Sequence, residues 1–158
     1  LGVLRTEVGT PNGIAFDAYR GRMYFADTPT ETVLVADYDL DTGTRHNARV
    51  FLDYRDLAGK PDGACVDADG CYWSACVYGW AVVRVTPDGR VDRRVEVPVE
   101  KPTMPAFGGA DLSTLYVTSI GARPGKPAAP GLDGFTPGDL LAIDTGVQGR
   151  VDPVFAAT

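Results

Sequence analysis

An all-β fold, organised as blades of a β-propeller, is expected for this chain. Its 19 glycines and 12 prolines are spread over 158 residues, which indicates many turns and many short strands. Three similar segments begin at Pro11, Pro61 and Pro105, spaced 50 and then 44 residues apart. A repeat of about 40 to 50 residues is typical of a four-stranded propeller blade. No stretch of the sequence shows sustained helical periodicity.

Each repeat contains short runs of apolar, aromatic and β-branched residues separated by turn residues, the pattern expected of strands. The predicted strands are 13–16, 22–27, 32–37 and 49–52 in the first repeat, 82–86 and 91–97 as the last two of the second repeat, and 115–119, 139–144 and 151–155 in the third. A loop rich in glycine and proline covers 121–138. Tyr24, Trp73 and Tyr116 fall on the second strand of each repeat, where we expect core positions.

Three blades cannot close a ring, since propellers need about four to eight. An open arc would leave strands of a buried type facing water at both ends. We therefore expect residues 1–158 to be one part of a larger ring, closed by an N-terminal half or by another chain. The absence of Met at position 1, where Leu1 stands, agrees with a fragment of a longer protein.

The overall charge and the cysteines restrict the class of partner and the compartment. A net charge of −6 argues against a nucleic-acid partner, and no apolar run approaches the roughly 18 residues of a membrane span. The three cysteines, an odd number, are Cys65, Cys71 and Cys76. Their spacing is a poor zinc pattern, and it predicts reduced thiols in a cytoplasmic protein.

Asn12 and Asp62 occupy the same position in two successive repeats, each between a proline and a glycine. Because inner strands line the central channel of a propeller, equivalent positions in adjacent blades point toward one axis. A carboxylate and an amide oxygen brought together there would suit a divalent cation. The alternative is that Pro-Asn-Gly and Pro-Asp-Gly are ordinary turn tripeptides, which the residues taken alone favour.

Several motifs, taken in order, give the chain a resemblance to a known family. They are Pro11-Asn12-Gly13, Asp27-Thr28, Asp37-Tyr38-Asp39, Thr42-Gly43, Pro61-Asp62-Gly63-Ala64-Cys65-Val66-Asp67, Trp73-Ser74-Ala75-Cys76, Pro98-Val99-Glu100-Lys101-Pro102-Thr103, Phe107-Gly108-Gly109 and Leu115-Tyr116-Val117-Thr118-Ser119. Across essentially the whole chain they resemble the C-terminal half of the SMP-30/gluconolactonase/regucalcin family. Each motif alone is weak, and their shared order makes the resemblance specific.

The resemblance implies a six-bladed β-propeller with one divalent metal ion at the mouth of its central channel. In that family a Glu, two Asn and an Asp hold the metal; Asn12 matches one Asn, and Asp62 matches the Asp. The Glu, the other Asn and the substrate-contacting Arg and Glu belong to the N-terminal half of the family and have no match here. Oxygen ligands suit Ca²⁺ or Zn²⁺, and also Mg²⁺, Mn²⁺ or Fe²⁺.

The activity that the resemblance implies is a sugar lactonase of carbohydrate metabolism, acting on a gluconolactone or a pentonolactone. The metal would polarise the lactone carbonyl and acidify water, and Asp62 would bind it and help to deprotonate that water. The alternatives are a non-catalytic calcium-binding or partner-binding propeller and a metal-dependent esterase acting on other esters. No Gly-x-Ser-x-Gly motif is present, which argues against a serine hydrolase.

Three further residues are candidates for contact with the sugar. Lys101 and Thr103 lie just before the third repeat, where the chain of this family enters the channel. Trp80 lies in a loop after Tyr78-Gly79 and would flank a sugar ring, with packing within the loop as the alternative. For Thr28, which ends a strand together with Asp27, a channel-facing position and a plain strand end both stay open.

Overall fold

The computed structural model describes residues 6–151 and contains eleven strands in three antiparallel sheets. The strands are β1 (Pro11–Asp17), β2 (Arg22–Asp27), β3 (Thr32–Tyr38) and β4 (Arg45–Asp53) in the first sheet, β5 (Lys60–Val66), β6 (Tyr72–Val77), β7 (Ala81–Val85) and β8 (Val91–Glu96) in the second, and β9 (Pro102–Gly108), β10 (Thr114–Ser119) and β11 (Leu141–Asp144) in the third. Within residues 6–151 there is no helix, hence none that is long and apolar enough to cross a membrane. The all-β prediction is confirmed.

Each sheet is a meander in which neighbouring strands are also neighbours in sequence. The first strands of the three sheets, β1, β5 and β9, lie side by side. A Cβ placed on Gly13 of β1 would come within 3.1 Å of the Asp62 carbonyl oxygen of β5, and one on Gly63 would come within 2.6 Å of the Thr103 carbonyl oxygen of β9. Stacked meanders whose first strands adjoin are the blades of a propeller, as predicted.

Apolar side chains fill the two spaces between the sheets. The space between the first and second sheets contains the ring pair Tyr24 and Tyr72, with centroids 5.0 Å apart. Trp73 packs edge-on against Phe107 in the space between the second and third sheets, with centroids 5.7 Å apart. Because the second sheet has a neighbour on each face, every residue of β6 and β7 is buried.

The first and third sheets bury one face and expose the other. Along β10, Leu115 and Val117 are buried while Tyr116 and Thr118 between them are exposed. The expectation of a core position is confirmed for Tyr24 and Trp73 but is wrong for Tyr116, because alternation along the strand turns its ring to the uncovered face.

Most of the predicted strands are present in the structure, but they begin or end at other residues than predicted. The inner strand expected at 13–16 extends over Pro11–Asp17, and the inner strand of the third sheet begins at Pro102, three residues before Pro105. Of the strand predicted at 151–155, Val151 lies outside any strand, and 152–155 lie outside the described residues.

Buried ion pairs tie together the turns at one edge of the sheets. The Asp67 carboxylate is inaccessible to solvent and accepts hydrogen bonds from Trp73 Nε1 at 2.8 Å and Arg84 Nε at 2.7 Å. Arg84 also pairs with Asp69 and Asp92. The second blade is therefore closed at this edge by a network in which the buried charges have partners, as burial of charge requires.

A second network at the same edge joins the three sheets. The buried Asp17 carboxylate accepts hydrogen bonds from Arg20 and Arg150, each at 2.9 Å. Arg150, which follows β11, also donates to the Ala68 carbonyl oxygen at 2.7 Å. Burial raises the pKa of Asp17, but the hydrogen bonds from the two arginines outweigh it, and the net pKa lies below the ordinary value.

Candidate metal and substrate site

The starts of the three inner strands lie along one edge, which we call the site edge. Antiparallel pairing brings the ends of β2, β6 and β10 to the same edge, through the pairs Pro11 with Asp27, Lys60 with Val77, and Pro102 with Ser119. The ion-pair networks of Asp17 and Asp67 lie at the other ends of the strands, which we call the opposite edge. Asn12 is the second residue of β1 and Asp62 is the third residue of β5. Both therefore lie at the site edge, on adjacent strands.

Neither the Pro-Asn-Gly nor the Pro-Asp-Gly tripeptide forms a turn, so that interpretation is wrong. Both lie inside inner strands, and the register with the second strand shifts between Asn12 and Ala15 in the first sheet and between Pro61 and Ala64 in the second. Such shifts are β-bulges, which redirect a side chain without ending the strand. The two candidate ligands are thus held on strands by equivalent irregularities.

The glycine that follows each candidate ligand allows the inner strands to approach each other. Gly13 has a φ of +59°, in the left-handed region, and a Cβ there would lie 2.5 Å from the Tyr72 hydroxyl oxygen. That hydroxyl donates to the Gly13 carbonyl oxygen at 2.9 Å. A Cβ on Gly63 would collide with the Thr103 carbonyl oxygen and with the Met104 sulfur at 2.5 Å. Only glycine fits at both positions.

The amide of Asn12 is fixed by the next turn of its own blade. Its Nδ2 donates to Thr28 Oγ1 at 2.9 Å, and the Thr28 hydroxyl donates to the Pro61 carbonyl oxygen at 2.8 Å. Because Nδ2 is the atom that contacts Thr28, Oδ1 is the atom left for a ligand. Pro61 directly precedes Asp62, so the same two hydrogen bonds connect the backbones that carry both candidate ligands.

Asp62 differs from Asp17 and Asp67 at the opposite edge, because its side chain makes no hydrogen bond and no ion pair to any of residues 6–151. It is half-buried, and burial alone raises its pKa above the ordinary value. A desolvated carboxylate without a partner is unfavourable unless a cation or proton compensates it. This is the environment expected of a carboxylate that binds a cation or transfers a proton.

The oxygen donors at the site edge fit a hard or borderline divalent cation. Asp62 supplies an unpaired carboxylate, and Asn12 supplies an amide oxygen whose orientation is set. Within the described part of the chain, no three His, Cys, Asp or Glu residues group together in a way that could hold a metal ion. A metal bound here would therefore need other donors beside Asp62, such as amide, hydroxyl or carbonyl oxygens, water, or side chains from outside residues 6–151.

The three candidate substrate residues also lie at the site edge. Trp80, in the turn between β6 and β7, is half-buried with a φ of +57°. The Lys101 ammonium lies 3.5 Å from the Glu100 carboxylate and 5.1 Å from the centre of the Tyr78 ring. The hydroxyl groups of Thr103 and Thr118 are 2.7 Å apart. Their contact with a sugar stays a prediction.

Two residues at this edge were given no role in the site from the sequence pattern. Thr28 was left open between two interpretations, and the structure places its hydroxyl against Asn12. Tyr78, next to Trp80, is the more exposed aromatic of the two, with 58% of its surface accessible. The sequence offered one indication for Thr28, which is its position directly after Asp27. In the structure Asp27 pairs with Pro11, the residue before Asn12.

Consecutive meanders with adjoining inner strands define this chain as a sector of a β-propeller. The sequence profile of the SMP-30/Gluconolactonase/LRE-like region matches residues 1–121. The chain belongs to this family, as the motifs indicated.

The curated relatives include proteins named as lactonases and proteins named regucalcin. The chain is 40% identical over 156 residues to a 6-deoxy-6-sulfogluconolactonase of Pseudomonas putida, covering 98% of the chain and 52% of the relative. It is 40% identical over 149 residues to the pentonolactonase XacC of Haloferax volcanii, covering 93% and 51%. The crystal structure of a calcium-binding protein, regucalcin, from Agrobacterium tumefaciens superimposes with a TM-score of 0.83 at 32% identity, covering 98% and 52%. The chain spans about half the length of these relatives.

Proposed function

We propose that the ring-complete protein, meaning this chain together with the N-terminal half that closes the ring, is a metal-dependent hydrolase that opens sugar-acid lactones. The observation that carries the proposal is the unpaired, half-buried carboxylate of Asp62, on the strand next to the oriented amide of Asn12. The named lactonases among the relatives support the substrate class.

Asn12 and Asp62 would be two of the metal ligands. A divalent cation, when bound, polarises a lactone carbonyl and acidifies a water molecule. Asp62 brings the negative charge that attracts the cation, and it is the candidate acceptor of the proton released by the attacking water. Asn12 brings a neutral oxygen donor and leaves the net charge of the site unchanged. The remaining donors would come from the N-terminal half.

The type of donor restricts the metal to a class of divalent ions and does not select one of them. Oxygen donors accept Ca²⁺, and regucalcin from Agrobacterium tumefaciens, one of the structural relatives, is described as a calcium-binding protein. The same donors with added water also accept Zn²⁺, Mg²⁺, Mn²⁺ or Fe²⁺. We propose Ca²⁺ or Zn²⁺ as the first ions to test.

Closure of the ring is part of the proposal. The uncovered faces of the first and third sheets carry exposed apolar side chains, among them Ile14 and Phe16 on β1 and Met104 and Tyr116 on β9 and β10. An uncovered sheet face of this kind is stabilised when another blade packs on it. We propose that the N-terminal half of the propeller, or a second chain, covers both faces. We also propose a cytoplasmic location, because none of the three cysteines forms a disulfide bond within residues 6–151.

The test is hydrolysis of δ-gluconolactone and of a pentonolactone by the ring-complete protein with each divalent ion. We expect metal-dependent turnover that falls by at least about 100-fold in Asp62→Ala, because the carboxylate would serve both the metal and the proton. Asn12→Ala should lose metal affinity and activity together. Asp41→Ala, which removes an exposed carboxylate in the turn after β3, is the matched control and should retain full activity.

Other outcomes separate the alternatives. Metal binding without turnover of any lactone would favour a non-catalytic calcium-binding or partner-binding module. Turnover of simple aryl esters but not of lactones would favour an esterase. Full activity in Asp62→Ala would remove this residue from the mechanism.

A further inference from the structure

We propose that Thr28 is a positioning residue that decides which atom of the Asn12 amide is presented to the metal. This inference rests on the proposed function, since it assigns a role to a residue that acts through a proposed ligand. Thr28 lies directly after β2 and is half-buried at the site edge. Its hydroxyl contacts the side chain of Asn12 and the backbone of the neighbouring blade.

The direction of the hydrogen bonds fixes the amide. A threonine hydroxyl has one proton to donate, and the Pro61 carbonyl, which can only accept, takes that proton at 2.8 Å. Toward Asn12 the hydroxyl oxygen can then only accept, so it selects the Nδ2 group at 2.9 Å and repels Oδ1. An amide turned the other way would place two acceptors against each other and direct two N–H protons at the cation.

The second blade provides an internal comparison. Cys76 pairs with Pro61 as Asp27 pairs with Pro11, so Val77 occupies the position that Thr28 has in the first blade. Val77 carries no hydroxyl, and the ligand candidate of that blade is Asp62. A carboxylate presents an oxygen in either orientation and needs no such selection, whereas an amide does. The hydroxyl therefore occurs in the blade whose candidate ligand is an amide.

The bond to Pro61 also couples the two ligands. Pro61 precedes Asp62, so Thr28 holds the Asn12 side chain relative to the strand that carries the carboxylate. Residues that orient metal ligands in this way typically change metal affinity by about 10- to 100-fold when they are replaced. Thr28→Val keeps the shape of the side chain and removes both hydrogen bonds, while Thr28→Ser keeps the hydroxyl.

The experiment is calorimetric titration of the ring-complete protein with CaCl₂ and with ZnCl₂, with affinities normalised to the folded fraction. We expect Thr28→Val to bind about 10- to 100-fold more weakly than wild type and Thr28→Ser to stay within about three-fold. Thr30→Val is the matched control, because Thr30 lies in the same turn and its hydroxyl bonds only to the Asp27 carbonyl oxygen. It should bind as wild type does.

A double-mutant cycle separates positioning from a structural role. In an Asn12→Ala background there is no amide left to orient, so Thr28→Val should weaken binding no further. An equal loss in both backgrounds, or wild-type affinity in Thr28→Val while Asn12→Ala binds weakly, would overturn the role of Thr28 and leave the proposed function standing. A wild-type protein that binds neither ion would overturn both.

Discussion

The aspartates at the two edges of the sheets have opposite environments. At the opposite edge Asp17 and Asp67 are fully buried, and each accepts several hydrogen bonds, including those from arginines. At the site edge Asp62 is half-buried and its carboxylate has no partner among residues 6–151. The pKa of Asp17 is lowered and that of Asp62 is raised.

This difference separates residues that stabilise the fold from residues available for chemistry. Partners compensate the cost of burying a charge, so the Asp17 and Asp67 networks hold turns and blades in place. An uncompensated, partly buried carboxylate destabilises the folded state, and sites for cations or proton transfer are where such groups are found. Three substitutions test whether the two edges differ in this way.

The largest loss of stability is expected for Asp67→Ala. Arg84, with 9% of its side chain accessible, would lose its most buried partner, and Trp73 Nε1 would lose its acceptor. Breaking a buried pair in this way costs about 3–5 kcal/mol, measurable by urea unfolding of the ring-complete protein in EDTA. Asp37→Ala, which removes the exposed pair with Arg49, is the control and should cost less than about 1 kcal/mol. Equal losses would contradict a special role for the opposite edge.

Asp62→Asn should act on function without acting on stability. We expect lactone hydrolysis and metal affinity to fall by about 100-fold or more, because the only carboxylate proposed at the metal from this chain is removed. The free energy of unfolding in EDTA should change by less than about 0.5 kcal/mol, or rise, since no partner is lost. A destabilisation above about 2 kcal/mol would show that Asp62 is a structural residue and would remove the contrast.

The smallest effect is expected for Arg150→Gln, and it should depend on pH. The folded pKa of Asp17 lies below its unfolded value, so its stabilising contribution is complete above the unfolded pKa of about 3.9 and is lost as pH falls through the folded pKa. The variant should therefore be less stable by about 1 kcal/mol near pH 6, and the difference should shrink below pH 4. Unfolding curves between pH 3 and 6 measure this.

The matched control for that series is Arg49→Gln, whose partner Asp37 is exposed. Its stability should stay close to wild type across the same range because solvent screens the pair. A difference between Arg150→Gln and wild type that grew on acidification would contradict the sign of the Asp17 contribution.

The sequence predicted those features of the fold and of the candidate site that recur from one repeat to the next. The spacing of Pro11 and Pro61 predicted the blades, and the matched tripeptides identified Asn12 and Asp62 as neighbours in space. The role of Thr28 could not be predicted, because its acceptor Pro61 is 33 residues away on another blade. Tyr116 was placed wrongly because composition does not show which face of a terminal sheet is covered. The partners of Asp67 likewise depend on how β6 and β7 pack.

The meander topology has a consequence for how the chain acquires its structure. Every strand pair in the three sheets joins sequence neighbours, so each sheet can form its hydrogen bonds before the next one has been synthesised. Contacts of short sequence separation favour rapid folding, and chains built of stacked repeats can nucleate in one unit and extend to the next. We expect the second sheet to gain most of its protection from hydrogen exchange only after both neighbours are in place, since every residue of β6 and β7 depends on them for burial.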